Sequence, residues 1–185
     1  MTSCTFDRHW SPLALACPPA LRPWLHHRAS LTRRIQQHCG HFAVRPVANG
    51  RARIAPDEAD LIGLPADRLA YARDVFLYAD GQPVVFAHST VAPVHLRGAW
   101  SALGKLGTRP LGALLFSHPH IRRHALHYQY LSPHHPLYRR AVRDLPNPPP
   151  GLWARRSLFW LKHAPLLVTE VFLPGMVNLR GPLPL

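Results

Sequence analysis

Apolar and polar positions alternate most regularly between residues 67 and 94. Two runs rich in β-branched and aromatic residues flank Asp80-Gly81, a dipeptide that favours a tight hairpin turn. Successive side chains of a strand point to opposite faces, so the first run separates into two sets. One set comprises Leu69, Tyr71, Arg73, Val75 and Leu77, and the other comprises Ala72, Asp74, Phe76 and Tyr78. The pattern predicts an antiparallel hairpin with Arg73 on the aliphatic face.

Weaker patterns precede this hairpin. Ser30 can cap a helix that runs to about His38 and ends before Gly40. Residues 41–54 alternate around Asn49-Gly50, which predicts a second hairpin.

The later part of the chain alternates between helical and extended patterns. Residues 96–116 predict a short helix, a glycine-rich turn at Gly104–Gly107 and a second helix that begins near Pro110. Residues 118–151 begin with strand character and end in a polar, proline-dense loop.

Two β-rich runs, 155–161 and 166–173, follow with a tight turn at Lys162–Pro165 between them. Strands joined by hairpins, with helices inserted as a block, favour an α+β fold with a single antiparallel β-sheet. We expect one domain over residues 1–185, with a core at about 26–175 and irregular segments at 1–23 and 176–185.

The net charge of the chain indicates which kinds of partner it attracts. The chain of 185 residues carries a formal charge of +13, which attracts anions such as nucleic acids, acidic lipids or small carboxylates. The charge is scattered, without a block of five basic residues, so no nucleic-acid-binding tail is indicated. All basic residues except Lys105 and Lys162 are arginines, which suit bidentate carboxylate binding, although a GC-rich coding bias gives the same excess.

Several familiar kinds of site are missing from the sequence. Cys4, Cys17 and Cys39 form no CxxC pair, which favours a reducing cytoplasm. No apolar run approaches the ~18 residues of a membrane-spanning helix. There is also no GxSxG elbow, Walker loop or GxGxxG fingerprint.

Histidines are frequent, and four that lie close together in the sequence are candidate metal ligands. On a helix, three of the four would line one face, but Pro119 disfavours a helix and no nearby carboxylate or cysteine completes a site. A solvated loop rich in histidine is the favoured interpretation. The four residues are His118, His120, His124 and His127.

Glu170 is one of only two glutamates and lies inside the apolar run "PLLVTEVFLP". Both faces of this predicted strand are mostly apolar, so the carboxylate is buried whichever way it points. Two interpretations stay open from the residues alone. Glu170 either forms a structural Arg–Glu pair or meets water at an edge, or it faces an apolar cavity in which Arg73 anchors a small carboxylate.

Five segments, in order, carry a family resemblance between about Ser30 and Pro174. They are "SLTRRI", "ARDVFLYADGQPVVFAHSTV", "LGKLGTRPLGALLF", "GLWARRS" and "PLLVTEVFLP". Each is weak alone, but together they make the chain resemble the chorismate lyase family. The resemblance implies a single antiparallel sheet with helices on one side and helical flaps over a buried ligand cavity, without a metal or an organic cofactor.

The same resemblance implies a reaction and four site residues. Chorismate would lose its enolpyruvyl group to give 4-hydroxybenzoate and pyruvate, the first step of ubiquinone biosynthesis, with inhibition by the product. Arg73 would anchor the ring carboxylate and Glu170 would assist proton transfer. Leu111 and Leu31 would contact the ligand from the two flaps.

The chain departs from the family pattern before "TV", where His88-Ser89 replace an expected arginine. His88 or a flap arginine would then have to supply the second anion contact. The alternative function is a non-enzymatic, small-carboxylate-sensing effector domain of a related fold, although residues 1–23 are too short and proline-rich for a DNA-reading helix-turn-helix. We expect a cytoplasmic monomer without nucleic-acid partners, with at most peripheral membrane association.

Overall fold

The computed structural model describes residues 10–179, in which seven strands form one antiparallel β-sheet. The strands are β1 Phe42–Ala52, β2 Ala70–Ala79, β3 Gln82–Val91, β4 Arg122–Arg123, β5 His127–Leu131, β6 Leu152–Leu161 and β7 Ala164–Phe172. Their order across the sheet is β1-β2-β3-β7-β6-β4, and β5 also pairs with β6. The expected α+β class with a single antiparallel sheet is confirmed.

Helices cover both faces of the sheet. The α-helices are α1 Arg22–Leu25, α2 Leu31–Gln36, α3 Pro56–Leu61, α4 Leu111–Ser117 and α5 Pro136–Ala141, and the 3-10 helices are Pro93–Arg97, Leu103–Lys105 and Pro174–Asn178. Helices α1, α2 and α4 pack on the face that carries Arg73, as expected for flaps. Helices α3 and α5, which the sequence pattern did not predict, cover the opposite face.

The central hairpin forms as predicted, because Asp80 and Gly81 can both adopt positive φ, at 48° and 80°. This backbone conformation matches the twist of the two flanking strands. The β6–β7 hairpin is also confirmed, with Lys162 and His163 in its turn at φ of 49° and 63°. These hairpins place β3 and β7 next to each other at the centre of the sheet.

The predicted hairpin at Asn49-Gly50 is wrong. Strand β1 continues through this dipeptide and pairs with β2 along its length, with one irregularity between Pro46 and Ala48. A hairpin here would leave only residues 51–54 as its second strand, whereas pairing with β2 extends the whole sheet. Pro46 is tolerated because β1 is an edge strand.

Other helix boundaries differ from the predicted ones in regions where the sequence signals are weak. The helix expected from residue 96 is replaced by two short 3-10 segments, since Gly98 and Gly104 interrupt the region. Helix α4 begins directly after Pro110, as predicted. Trp10 is buried although its segment is irregular, and residues 1–9 and 180–185 lie outside the described part of the chain.

A buried charged cluster joins α3 and α5 to the back of the sheet. His88 on β3 is 1 % exposed, and its Nδ1 lies 2.5 Å from Oδ1 of Asp74. Its Nε2 lies 3.3 Å from Oε1 of Glu58 on α3, while Arg140 of α5 lies 3.4 Å from the other Asp74 oxygen. Burial opposes the charged imidazole, but Glu58 and Asp74 outweigh it and raise the pKa of His88 to about 9.

This cluster predicts a loss of stability in alkaline solution. Because the pKa of His88 is higher in the folded than in the unfolded chain, its contribution is complete below pH ~6.5 and disappears as the pH rises through about 9. We expect the free energy of unfolding to fall by up to ~3 kcal/mol over this range. Urea unfolding followed by circular dichroism at pH 6.5 and pH 9.5 measures the change.

A His88→Gln variant should be less stable at pH 6.5 and should lose most of this pH dependence. His163→Gln, in the β6–β7 turn, is the matched control and should retain it. An equal pH slope in all three proteins would contradict the assignment of the effect to His88.

Candidate active site

A cavity lies between the sheet face that carries Arg73 and the two short helices α2 and α4. It contains about 590 Å³ of space free of protein atoms, counting the open space at its mouth. Its walls are largely apolar, and the charged side chains that reach it are Arg73, Arg123, Arg155 and Glu170. The apolar lining residues are Ala29, Leu31, Val44, Val75, Leu77, Ala87, Pro110, Leu111, Leu115, Phe116, Phe159 and Val168.

The four residues singled out in the sequence meet in this cavity. Arg73 comes from β2, Glu170 from β7, Leu31 from α2 and Leu111 from α4. Directly paired residues of neighbouring strands lie on the same face of a sheet. Val75 of β2 pairs with Ala87 of β3, which pairs with Glu170 of β7, and Arg73 lies two residues before Val75, so Arg73 and Glu170 share one face.

Arg73 is a buried cation, only 3 % exposed. Its Nη2 donates hydrogen bonds to the carbonyl oxygens of Gly107 at 2.9 Å and Arg109 at 3.2 Å, both in the loop before α4. Within residues 10–179, no carboxylate lies within ion-pair distance of its guanidinium group. Burial lowers the pKa of Arg73, which is the sign of a desolvated charge that an incoming carboxylate would stabilise.

The surroundings of Glu170 explain how a carboxylate is accommodated in an apolar strand. Its side chain faces the cavity and accepts a hydrogen bond at 2.6 Å from Nε of Arg155, the residue opposite it on β6. The guanidinium of Arg155 is 1 % exposed, whereas the Glu170 side chain retains 17 % exposure. Glu170 therefore has the arginine partner of the first interpretation and the position at a cavity of the second.

Arg155 is fixed on its other side by the backbone. Its Nη1 donates to the carbonyl oxygens of Trp24, Leu25 and His27 at 3.1, 3.2 and 2.6 Å. These contacts join the end of α1 to β6 and hold the guanidinium group beside the carboxylate. The contact with Arg155 therefore fixes the position of the Glu170 carboxylate at the cavity wall.

The two leucines lie where the flaps begin. Leu31 and Leu111 are the first residues of α2 and α4, and the first backbone N–H groups of a helix have no partner within it. The two helix starts are in close contact, because a Cβ added to Gly112 would lie 3.0 Å from Oγ1 of Thr32 and 3.1 Å from Oγ of Ser30. A side chain at this position would require Thr32 and Ser30 to shift by a few tenths of an ångström.

The suggestion that His88 replaces the missing arginine is wrong. His88 points to the opposite face of the sheet, where it contacts Asp74 and Glu58, while its neighbour Ser89 lines the cavity. The flap residue Arg109 does not line the cavity either; its Nη2 donates to the carbonyl oxygen of Lys105. Arg155 and Arg123 are the additional cavity cations, and the sequence argument missed both.

Both missed arginines belong to pairs, Arg122-Arg123 and Arg155-Arg156. In each strand one member faces the cavity and the other faces away. Alternation could have shown that one of each pair points inwards, but the register of the sheet was needed to tell which one.

The histidine-rich segment does not assemble a metal site. In the described part of the chain, no group of three histidine, cysteine or acidic side chains has the arrangement that a metal ion requires. His118 and His120 contact each other edge to face, and His124 stacks on Trp160. Over the same residues, none of the helices has the length and apolar character needed to cross a membrane.

Fold and site together define a class of protein: an α+β domain with a largely apolar cavity, lined by a buried arginine and a glutamate, between its antiparallel sheet and two short helices. The sequence identifies the family. Residues 9–179 match the model of the chorismate lyase family, so the chain belongs to that family.

Known relatives agree with this family membership. The chain is 49% identical over 170 residues to a protein of Nitrosomonas europaea named "Probable chorismate pyruvate-lyase", covering 92% of this chain and 96% of the relative. A protein of Nitrosospira multiformis with the same name is 47% identical over 171 residues, covering 92% and 95%.

Solved structures with a similar fold include distant proteins. A GntR-family transcriptional regulator from Bacillus cereus superposes with a TM-score of 0.53 at 7% identity, covering 77% of this chain and 99% of that one. A likeness at this identity concerns the fold alone.

Proposed function

We propose that this protein is a chorismate pyruvate-lyase that converts chorismate to 4-hydroxybenzoate and pyruvate, the first step of ubiquinone biosynthesis. The observation that carries the proposal is that one apolar cavity contains both Arg73, a buried guanidinium without a carboxylate partner among residues 10–179, and the carboxylate of Glu170. Family membership and the names of the relatives support it.

Arg73 binds the ring carboxylate of chorismate in this proposal. A carboxylate at its guanidinium group would supply the charge partner that the described residues lack, and a charge-assisted contact in a dry site fixes orientation as well as affinity. The starts of the flaps, at Leu31 and Leu111, add backbone N–H groups close to the ligand.

Glu170 accepts the proton from C4 of the ring. The electrons of the C4–H bond form the new ring double bond, the C3–O bond breaks, and the enolpyruvate that leaves takes up a proton to become pyruvate. The ring becomes aromatic, which drives the reaction. The protein therefore has to orient the substrate, hold the Glu170 carboxylate in place through Arg155 and exclude water.

The direct test is incubation of the protein with chorismate while the absorbance of 4-hydroxybenzoate and the appearance of pyruvate are followed. Equal amounts of both products support the proposal. Binding of chorismate or 4-hydroxybenzoate without turnover would overturn it and would favour the alternative, an effector-sensing domain. We further propose a cytoplasmic, monomeric enzyme whose contact with membranes is at most peripheral.

Product release is expected to limit turnover. The cavity lies behind α2 and α4, which meet at Gly112, so a flap has to open before 4-hydroxybenzoate can leave. We expect 4-hydroxybenzoate to inhibit competitively and to bind more tightly than pyruvate, because it fills the apolar cavity and pairs with Arg73. Progress curves at increasing starting 4-hydroxybenzoate should bend earlier, with added pyruvate as the control; curves that stay linear in excess product would contradict the prediction.

A further inference from the structure

Arg123 occupies the end of the cavity opposite Arg73. Arg73 belongs to β2, Glu170 to β7 and Arg123 to β4, and the strand order β2-β3-β7-β6-β4 puts two steps on either side of Glu170. Neighbouring strands are ~4.8 Å apart, so each arginine strand is about 10 Å from the glutamate strand. The cavity thus has a cation on each side of its carboxylate.

The side chain of Arg123 is half-buried, and its guanidinium group is only partly satisfied. Nη1 donates to the carbonyl oxygen of Arg28 at 2.5 Å, which fixes the head group. Nε is shielded from solvent and has no hydrogen-bond partner in the described part of the chain. Burial lowers the pKa of Arg123 to about 10, against the opposing effect of Glu170, so the group is charged at neutral pH yet desolvated.

Two aromatic rings flank the guanidinium group of Arg123, and its Nε has no partner among residues 10–179. The guanidinium carbon lies 5.6 Å from the ring centroid of Phe116 on α4 and 5.3 Å from that of Phe159 on β6. These contacts fix the side chain between a flap and the sheet. A buried donor without a partner is costly unless a ligand satisfies it.

The charges of the cavity also call for an anion at this end. Three guanidinium groups, those of Arg73, Arg123 and Arg155, face the single carboxylate of Glu170, and Arg155 is the one that pairs with it. Two positive charges therefore remain without an acidic partner among the lining residues. A ligand with two carboxylates, one at each end, would complement them.

We propose that Arg123 binds the carboxylate of the enolpyruvyl group of chorismate, while Arg73 binds the ring carboxylate. This inference rests on the proposed function. It makes Arg123 a binding residue for the leaving group: two anchored ends hold the C3–O bond and the C4–H bond next to Glu170. In this proposal Arg123 contributes to the affinity for chorismate but not to that for 4-hydroxybenzoate, because the product retains only the carboxylate that faces Arg73.

The test compares two ligands in the same set of variants. For Arg123→Ala we expect kcat/KM for chorismate to fall about 10- to 100-fold, mainly through KM, because a charged hydrogen bond is lost. The dissociation constant of 4-hydroxybenzoate, measured by fluorescence titration, should change by less than about twofold, since this ligand makes no contact that the variant removes. Unchanged 4-hydroxybenzoate binding also shows that the cavity is folded.

Two further variants sharpen the comparison. Arg122→Ala removes the exposed neighbour on the same strand and should match wild type, while Arg123→Lys retains the charge and should lose less than Arg123→Ala. An unaltered KM in Arg123→Ala, or an equal loss of affinity for both ligands, would overturn the role of Arg123. A wild-type protein without lyase activity would instead overturn the proposed function, and this is seen before any variant is compared.

Discussion

Glu170→Gln is expected to lower kcat for chorismate about 10²- to 10⁴-fold, the usual contribution of a general acid or base. Glutamine has the same shape but cannot accept the C4 proton. Its side-chain oxygen can still accept the hydrogen bond from Arg155, so the network that holds α1 against β6 should persist. Steady-state kinetics with chorismate, together with a urea unfolding curve, measure both quantities.

Glutamine is a sharper test than alanine at this position. Glu170→Ala also removes the partner of a buried arginine, and loss of one member of a buried ion pair costs about 3–5 kcal/mol of stability. Asp144→Asn, which removes a surface carboxylate with 70% side-chain exposure, is the matched control. Turnover within a few-fold of wild type in Glu170→Gln would remove Glu170 from the chemical step.

Arg73→Ala is expected to weaken the binding of 4-hydroxybenzoate by ~2–5 kcal/mol, since truncation leaves the ligand carboxylate unpaired in a dry site. This corresponds to roughly 30- to 5,000-fold in the dissociation constant, which isothermal titration calorimetry can follow. Chorismate should lose binding to a similar degree, so that both ligands are affected in Arg73→Ala, whereas Arg123→Ala should affect chorismate alone. The two arginine variants therefore discriminate the two ends of the cavity.

Arg73 also holds the loop before α4 through the carbonyls of Gly107 and Arg109. Arg73→Met, which keeps much of the apolar stem but no donor, separates loss of the ligand contact from loss of side-chain volume. Arg68→Ala, at a site with 74% side-chain exposure, controls for loss of one positive charge. Undiminished affinity for 4-hydroxybenzoate in both Arg73 variants would contradict the anchor role.

The arginines of this chain lie in two different environments. The sequence could not decide between coding bias and carboxylate binding as the origin of its many arginines. Most arginines are at the surface, but Arg73, Arg123 and Arg155 line the cavity. Arg73 and Arg155 are buried, and a buried charge is costly unless it is paired, so the position of an arginine in the fold distinguishes these residues in a way that composition alone does not.

Local chemistry in the sequence determined the strongest elements. Asp80-Gly81 set one hairpin because both residues adopt positive φ, and strict alternation assigned Arg73 to the aliphatic face of β2. The same reasoning found Glu170 in its apolar strand. These features depend on neighbours in sequence, which is why the pattern alone sufficed.

Only the tertiary structure decided which of two adjacent side chains enters the cavity. Arg123 rather than Arg122, Arg155 rather than Arg156, and Ser89 rather than His88 face the ligand space. A shift of one residue in strand register exchanges every such pair. Register in turn depends on which strands become neighbours, and residues far apart in the chain, such as those of β3 and β7, settle that through packing.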